Sequence, residues 1–412
     1  MVHLIRRPSY KWMQPHQLRG PSVSGRVLPV LTCVMSLLAS SARALRAQAP
    51  VTRDSAGIRI VENPSRKSAP VAFALGAQLM DVGGVEANPD EEFDHNQGYL
   101  RAARLSDGGI AVIDVARVHC VDSKGKRVKI VGRKGQGPQE FLYLTAICRT
   151  RGDTVLVGDQ NNCRVAVLDK NGAVVRTIEQ GGHGGTPFSF CFDDGTFVRD
   201  LSVSTADRIG GTHRLTRINL DGSVANVIGE LPGFPFDMVA QASVSVVAAG
   251  TRLYYGNPSS SEIQVFSTTG QLLSILRSDD SRPRISSAEA EARMASTIPR
   301  NVTEAERSTR MDRMRAMPHA DAWPAYQQVL VDPSGRVWVQ DHRVTYPSPD
   351  GWSAFDANGR LIGRLQLPSP AAGKRPNDIL AFDTDRVLVR RSDADDAAHL
   401  TWYALQRTGN SR

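Results

Sequence analysis

Residues 117–131 read RVHCVDSKGKRVKIV, two short runs of alternating apolar and polar residues around a polar turn that ends in glycine. Alternation with a period of two predicts β-strands, so this stretch predicts a β-hairpin. Comparable turn glycines follow at Gly172, Gly222, Gly270 and Gly359, each flanked by two such runs. Successive turn glycines lie 47, 50, 48 and 89 residues apart. The hairpin therefore belongs to an internal repeat of about 48 residues, interrupted once.

A second predicted hairpin precedes each of these five, and a sixth such hairpin begins a last unit at 376–405, which gives six units of nominally four strands. Units of this size predict an all-β fold, a six-bladed β-propeller with four-stranded antiparallel blades. The last unit, 376–405, supplies only three strands before the chain ends. We expect an N-terminal strand, from either 57–63 or 70–75, to complete it, because closing the ring removes an exposed sheet edge.

The extra residues of the interrupted period are helix formers. They fill 287–296 and 303–317, and we expect a short helical insertion over 278–324, between blades four and five. Thr303 and Glu306 have the spacing of a capping box. Three methionines recur on one predicted helical face: Met311, Met314 and Met317. We expect this face to pack onto the propeller; a lid or a partner-binding helix is the alternative.

The basic charge of the chain is concentrated in residues 1–49, which hold seven basic and no acidic residues. The rest has 43 basic and 42 acidic residues, so nothing in its charge favours nucleic-acid binding. An apolar run at 27–39 and an Ala-Gln-Ala sequence predict a secretory signal cleaved after Ala49. We expect an exported protein, periplasmic or extracellular, with no stable membrane span after cleavage. Residues 50–407 form one predicted domain, which we expect to be monomeric, before a disordered tail at 408–412.

Four cysteines remain after the predicted cleavage, and their pairing is open. Cys120, Cys148, Cys163 and Cys191 allow three pairings in an oxidising compartment. Free thiols are the alternative. No Cys or His spacing typical of a metal site is present.

The glycine-rich stretch VGRKGQGPQEF (131–141) fits either a phosphate cradle or a backbone turn. The related stretch VGGVEANPDEEF (82–93) is acidic, and a phosphate site would not tolerate that change of charge. We therefore interpret the stretch as a connection between blades, in which Phe141 anchors the loop between neighbouring sheets. The predicted structural motif comprises Gly132, Gly135, Gly137, Pro138 and Phe141.

Residues 159–172, DQNNCRVAVLDKNG, preceded by GRKGQGPQEF, resemble an NHL-type propeller repeat. The fit is good over about 82–178 and fair over 324–366. More broadly, the chain resembles secreted bacterial six-bladed propellers that carry a helical insertion followed by an aromatic–Pro–Ala–aromatic sequence, here at 323–326. The resemblance implies the fold. It does not imply one activity, because the class includes binding scaffolds, lyases and lactonase-like hydrolases.

Carboxylates recur near the ends of the second strands at Asp114, Asp159, Asp200 and Asp341. They could hold calcium in a central channel, but recurrence favours a turn-fixing role, so no cofactor is expected. A site should instead use residues that break the repeat. The candidates for ligand contact are His95, His183, Arg199, Asp200 and His342.

Two classes of function remain open from the sequence. The first is a non-catalytic exported propeller that binds a protein, peptide or glycan on its loop face. The second is a channel-site enzyme, either a calcium-dependent hydrolase of the lactonase or esterase kind or a lyase. We find no established catalytic motif and favour the first class.

Overall fold

The computed structural model describes residues 49–84, 92–93, 100–180, 188–205, 208–234, 239–240, 242–299, 301–317, 319–344, 350–369 and 377–408. Strands dominate, and they pair into five sheets. Three strands precede the first repeat: β1 (Val51–Ser55), β2 (Ile58–Asn63) and β3 (Val71–Gly83).

Three of the sheets are four-stranded, antiparallel and built from consecutive strands. Sheet I contains β4 (Arg101–Arg104), β5 (Ile110–Asp114), β6 (Arg117–Val121) and β7 (Arg127–Val131). Sheet II contains β8 (Leu144–Arg149), β9 (Val155–Asp159), β10 (Arg164–Leu168) and β11 (Val174–Glu179). Sheet III contains β12 (Phe190–Cys191), β13 (Phe197–Thr205), β14 (Arg208–Ile218) and β15 (Val224–Pro232).

The other two sheets include the N-terminal strands. Sheet IV contains β16 (Ser245–Ala249), β17 (Arg252–Gly256), β18 (Glu262–Ser267) and β19 (Leu272–Ser278), extended by β2 and β1. Sheet V has eight strands in the order β20-β21-β22-β23-β3-β26-β25-β24. Its new strands are β20 (Gln328–Val331), β21 (Val337–Gln340), β22 (Asp350–Phe355), β23 (Leu361–Leu367), β24 (Asp378–Phe382), β25 (Arg386–Ser392) and β26 (Ala398–Arg407).

The turn of the second hairpin in each unit explains why Asp and Gly recur at fixed positions of the repeat. In the turn of residues 117–131, one oxygen of Asp122 accepts the backbone N–H groups of Lys124 and Lys126, both at 2.9 Å. Gly125 adopts φ of 85°, a left-handed conformation that costs glycine little. The same device recurs at Asp169, whose side chain accepts two backbone N–H groups before β11. Asp and Gly at these spacings thus specify the turns.

The two candidate N-terminal strands have different partners. β3, which contains residues 71–75, pairs antiparallel with β26, with Val82 opposite Leu400. β2, which contains residues 58–63, pairs in parallel with β19, with Ile60 opposite Ile275. The run at 70–75 therefore joins the C-terminal strands, and the run at 57–63 extends sheet IV instead.

An ion-pair network joins β3 to the C-terminal strands. Asp81 of β3 accepts hydrogen bonds from Arg391 Nη2 at 2.8 Å and from the hydroxyl of Thr401, and its carboxylate lies 2.9 Å from His399 Nδ1. The second ring nitrogen of His399 lies 3.2 Å from Asp393. Both chain ends of the repeat region thus contribute charges to one cluster.

The sheets are arranged like the blades of a propeller. The strand that starts each run of consecutive antiparallel strands, here called a first strand, contacts the first strand of the next run. These contacts follow the order β4, β8, β12, β16, β20 and β24, and β24 contacts β4. Apolar clusters fill the spaces between neighbouring sheets, and each is built from side chains of two sheets. The six first strands therefore form a ring around a common centre.

Two helices form where the sequence predicts them, between β19 and β20: α1 (Ser287–Thr297) and α2 (Glu304–Arg315). Ser286–Glu289 and Thr303–Glu306 both form complete capping boxes. Met311 and Met314 are buried with Met294, Ile298, Val239 and Trp323, whereas Met317 is half exposed. Neither helix is long and apolar enough to span a membrane.

The glycine-rich loop at 132–141 binds a carboxylate from its own sequence. Glu140 accepts the N–H of Gly137 at 2.9 Å and pairs with Arg133, and these bonds lower the pKa of Glu140. Arg164 of β10 donates to the carbonyl oxygens of Gly137, at 2.8 Å, and of Glu140. Phe141 is fully buried in the cluster between sheets I and II. The Glu140 carboxylate and the carbonyl oxygens of Gly137 and Glu140 are therefore engaged within the protein.

We predict that Gly132→Ala lowers the free energy of unfolding by about 3 kcal/mol, from backbone strain and steric overlap together. Gly132 has φ of 89°, and a Cβ there would lie 2.5 Å from the buried ring of Phe141. Gly152→Ala is the control, because Gly152 has φ of 76° and a Cβ added to it would meet no atom within 4 Å. The control should cost about 1 kcal/mol. Equal losses in urea denaturation would show that Phe141 does not hold this loop.

Candidate functional site

A cavity of about 540 Å³ lies at the centre of the ring of first strands. Each of the six first strands, or the residues leading into it, contributes to its wall. Of the described residues that line it, Arg101 and Asp200 are charged. The uncharged polar lining residues are Thr145, Ser189, Ser243, Ser245, Gln327 and Gln328. The cavity thus presents several hydrogen-bonding groups within an otherwise apolar wall.

The position of these residues along the strands shows where the cavity lies. Arg101 is the first residue of β4, and Gln327 directly precedes β20. Asp200 belongs to β13, whose chain direction is opposite to that of β12. The lining residues therefore include the entrances to first strands, at Arg101 and Gln327, and continue along the first strands to Ile147, Val247 and Leu330. The connections between blades enter at the end of the cavity where the first strands begin.

Asp200 is paired with His213 across the β13–β14 hairpin. The strand register places Asp200 opposite Leu215 and Ser202 opposite His213. The side chains of Asp200 and His213 therefore lie on the same face of the sheet. His213 Nδ1 lies 2.8 and 2.9 Å from the two carboxylate oxygens. The side chains are 15% and 16% exposed. A carboxylate only accepts hydrogen bonds, so His213 Nδ1 donates to it, and Nε2 takes no part in this contact.

Asp200 does not occupy the recurring aspartate position, in contrast to the interpretation from sequence. Asp114 and Asp159 are the fifth residues of β5 and β9, whereas Asp200 is the fourth residue of β13. A shift of one residue turns a side chain to the other face of the sheet. Asp159 accepts two backbone N–H groups of the loop before β8, at 3.0 and 3.1 Å, which fixes that loop. Asp200 instead bonds His213 and borders the cavity.

His213 is a residue of this site that sequence reasoning missed. The alternation of HRLTRI (213–218) places His213 on the same face of the strand as Leu215, but that pattern alone does not show which carboxylate lies opposite.

Arg199 lies on the other face of β13 from Asp200, and it does not line the cavity. The structure therefore separates these two neighbouring candidates.

His342 lies beside the cavity and connects it to the helical insertion. Its Nδ1 lies 2.9 Å from Oε1 of Gln327, a residue of the cavity wall. Its ring stacks on Trp323, with centroids 5.5 Å apart. Trp323 belongs to the buried cluster that holds α1 and α2. Contacts thus run without a break from the insertion to the cavity wall.

His342 should make folding less favourable in acid. Burial, and to a smaller extent the charge of Arg293, lowers the pKa of His342 to about 4 from 6.5. Because the unfolded chain binds the proton more readily, stability is unaffected above pH 6.5 and falls as pH drops toward 4. At pH 5 the penalty is about 2 kcal/mol. We predict that His342→Gln reduces, by about 2 kcal/mol, the difference in free energy of unfolding between pH 7.5 and pH 5.0 measured by urea denaturation. Equal pH dependence in both proteins would contradict the assignment.

The remaining candidates, His95 and His183, lie outside the described residues. Within the ranges described, no group of three or more His, Cys, Asp or Glu side chains is arranged to hold a metal ion. Of the four described cysteines, Cys148 of β8 and Cys191 of β12 form a disulfide. Cys120 and Cys163 are not disulfide-bonded.

Comparison with known proteins supports the fold and does not extend to activity. No family model matches the chain, and no curated protein matches its sequence. A solved member of the DUF4221 family from Bacteroides vulgatus has a TM-score of 0.53 at 12% identity, covering 82% of this chain and 99% of its own. A Bacteroides fragilis structure described as a "putative exported protein" has a TM-score of 0.49 at 10% identity, covering 85% and 100%. The virginiamycin B lyase of Staphylococcus aureus has a TM-score of 0.41 at 12% identity, covering 78% and 82%.

Proposed function

We propose that this chain is an exported six-bladed β-propeller of the NHL type. The ring of six first strands supports the number of blades. Sheet V then comprises two blades, β20–β23 and β24–β25–β26–β3, joined where β23 and β3 pair in parallel at Arg364–Val71 and Leu365–Phe73. The first of these blades ends with its own fourth strand, and β3 is the fourth strand of the other.

Export is supported by the signal pattern of residues 1–49 and by the cysteines. Disulfides form and persist mainly in oxidising compartments, so the Cys148–Cys191 bond favours export. The periplasm and the extracellular space both meet this condition.

The function that the geometry supports best is non-catalytic binding of a protein, peptide or glycan at the loop face, with part of the ligand entering the central cavity. The observation that carries this proposal is the wall of the cavity itself. Its polar groups are mostly amides and hydroxyls, which orient a ligand by hydrogen bonds. Its carboxylate, Asp200, already has both oxygens within hydrogen-bonding distance of His213.

A hydrolase is the second candidate, and the Asp200–His213 pair favours it. A carboxylate that orients an imidazole leaves Nε2 available as a general base. Calcium would be the ion of such an enzyme if it resembled lactonase-like propellers.

The two functions are separated by a turnover assay on the mature chain, residues 50–412. We expect no hydrolysis of a panel of lactones and aryl esters above the buffer rate, with or without added calcium. Turnover that Asp200→Ala and His213→Gln both abolish would overturn the binding proposal. Gln271→Ala, in an exposed turn between β18 and β19, is the control variant.

A further inference from the structure

We propose that the central cavity binds the end of a neutral saccharide. This inference rests on the proposed binding function and names the chemical class of the ligand. Three features of the cavity carry it: an aromatic side chain on the wall, hydrogen-bonding groups suited to hydroxyls, and a volume suited to one or two sugar rings.

Phe190 supplies the aromatic surface. It is the first residue of β12, it is partly buried, and it lines the cavity. It also packs against the apolar cluster between sheets III and IV, which includes Val198 and Leu215. The C–H face of a pyranose ring is apolar, and placing it on a held aromatic ring removes both surfaces from water.

The polar groups match the donors and acceptors of sugar hydroxyls. Gln327 and Gln328 are consecutive residues before and in β20, and both line the cavity. The Gln328 amide carries both a donor and an acceptor, whereas Oε1 of Gln327 is held by His342. Asp200 is held by His213 and keeps acceptor capacity for an O–H group. The Thr145 hydroxyl is buried without a hydrogen-bond partner among the described residues. A hydroxyl-bearing ligand can satisfy such groups together.

Charge and size favour a neutral ligand of limited volume. Among the described lining residues, Asp200 is the one carboxylate, and the imidazole of His213 is its partner. Arg101 is the one cationic lining residue among them, so the described part of the wall carries one positive and one negative group. The volume of about 540 Å³ lies within the range of small-molecule sites and is far too small for a folded domain.

The test is calorimetric titration of the mature chain with maltotriose, cellotriose and triacetylchitotriose. We expect at least one to bind, and we expect Phe190→Ala to weaken that binding by about tenfold or more through loss of the aromatic surface. Phe190→Tyr keeps the ring and should remain within about threefold of the parent protein. Gln271→Ala, outside the cavity, should leave binding unchanged.

Each other outcome overturns the inference in a distinguishable way. Binding of trialanine that depends on Phe190, without saccharide binding, would overturn the saccharide and leave the binding function standing. Saccharide binding that Phe190→Ala and Asp200→Asn both leave intact would place the site elsewhere. The absence of binding by all three saccharides would refute the inference. Lactone turnover lost in Asp200→Ala would refute the proposed function as well. If Phe190→Ala fails to fold, Asp200→Asn tests the same site: it replaces the charged acceptor and should weaken saccharide binding by about tenfold, while Gln271→Ala should not.

Discussion

Replacement of Arg66 by alanine is expected to lower the free energy of unfolding by about 3–5 kcal/mol, because it strands a buried carboxylate. Arg66 lies between β2 and β3, and its Nε contacts Asp280 at 2.5 Å, with both side chains at most 5% exposed. Asp280 also accepts the hydroxyl of Ser65 at 2.8 Å and the backbone N–H of Arg66 at 3.0 Å. The guanidinium further donates to the carbonyl oxygen of Ala325.

This ion pair connects three separate parts of the chain: the N-terminal segment, the residues after β19 and the residues before β20. Asp280→Ala should be about as damaging as Arg66→Ala, and the double variant should cost less than the sum of the two. Arg53→Ala is the matched control, because Arg53 pairs with Glu62 at the surface, where both side chains are more than 40% exposed. That control should cost at most about 1 kcal/mol. Urea denaturation at pH 7 measures the free energy of unfolding of the four variants. Equal losses for Arg66→Ala and Arg53→Ala would contradict this account.

Loss of the Cys148–Cys191 disulfide is expected to lower the free energy of unfolding by about 4 kcal/mol through the entropy of the unfolded chain. The two cysteines are 43 residues apart in sequence, and their bond joins the first strands of sheets II and III. Without it, the unfolded chain gains conformations that the cross-link excludes. The double variant Cys148→Ser/Cys191→Ser isolates this effect.

The control for the disulfide is Cys163→Ser, since Cys163 is not disulfide-bonded and its thiol donates to the carbonyl oxygen of Gln160 at 3.6 Å. A serine hydroxyl can make the same bond, so this variant should stay within about 1 kcal/mol of the parent. Guanidinium denaturation with and without reductant measures the effect. A parent protein whose stability does not respond to reductant would contradict the pairing.

Sequence alone predicts the local features of this fold because each is encoded within a few neighbouring residues. Asp122 and Gly125 specify a turn that needs no distant partner to form. Thr303 and Glu306 likewise bond one another at the start of α2. Phe141 could be assigned to an interface because its motif recurs in the chain. These features required no knowledge of how the sheets assemble.

Features that depend on distant parts of the chain were not determined by the sequence. Both N-terminal runs have strand patterns, and only packing decides that residues 71–83 pair with β26. Three cysteine pairings were open for the same reason. Asp200 lies one residue away from the recurring aspartate position, and a shift of one residue turns a side chain to the opposite face of a sheet. The partner His213 follows from that register.

We propose that six blades enclose a cavity in which a ligand binds. The most direct test is a crystal structure of the mature chain grown with a saccharide identified by calorimetry. We predict six four-stranded blades and ligand density in the central cavity, with a sugar ring against Phe190 and a hydroxyl within hydrogen-bonding distance of Asp200. A ring of another number of blades, or ligand density outside the cavity, would contradict the account.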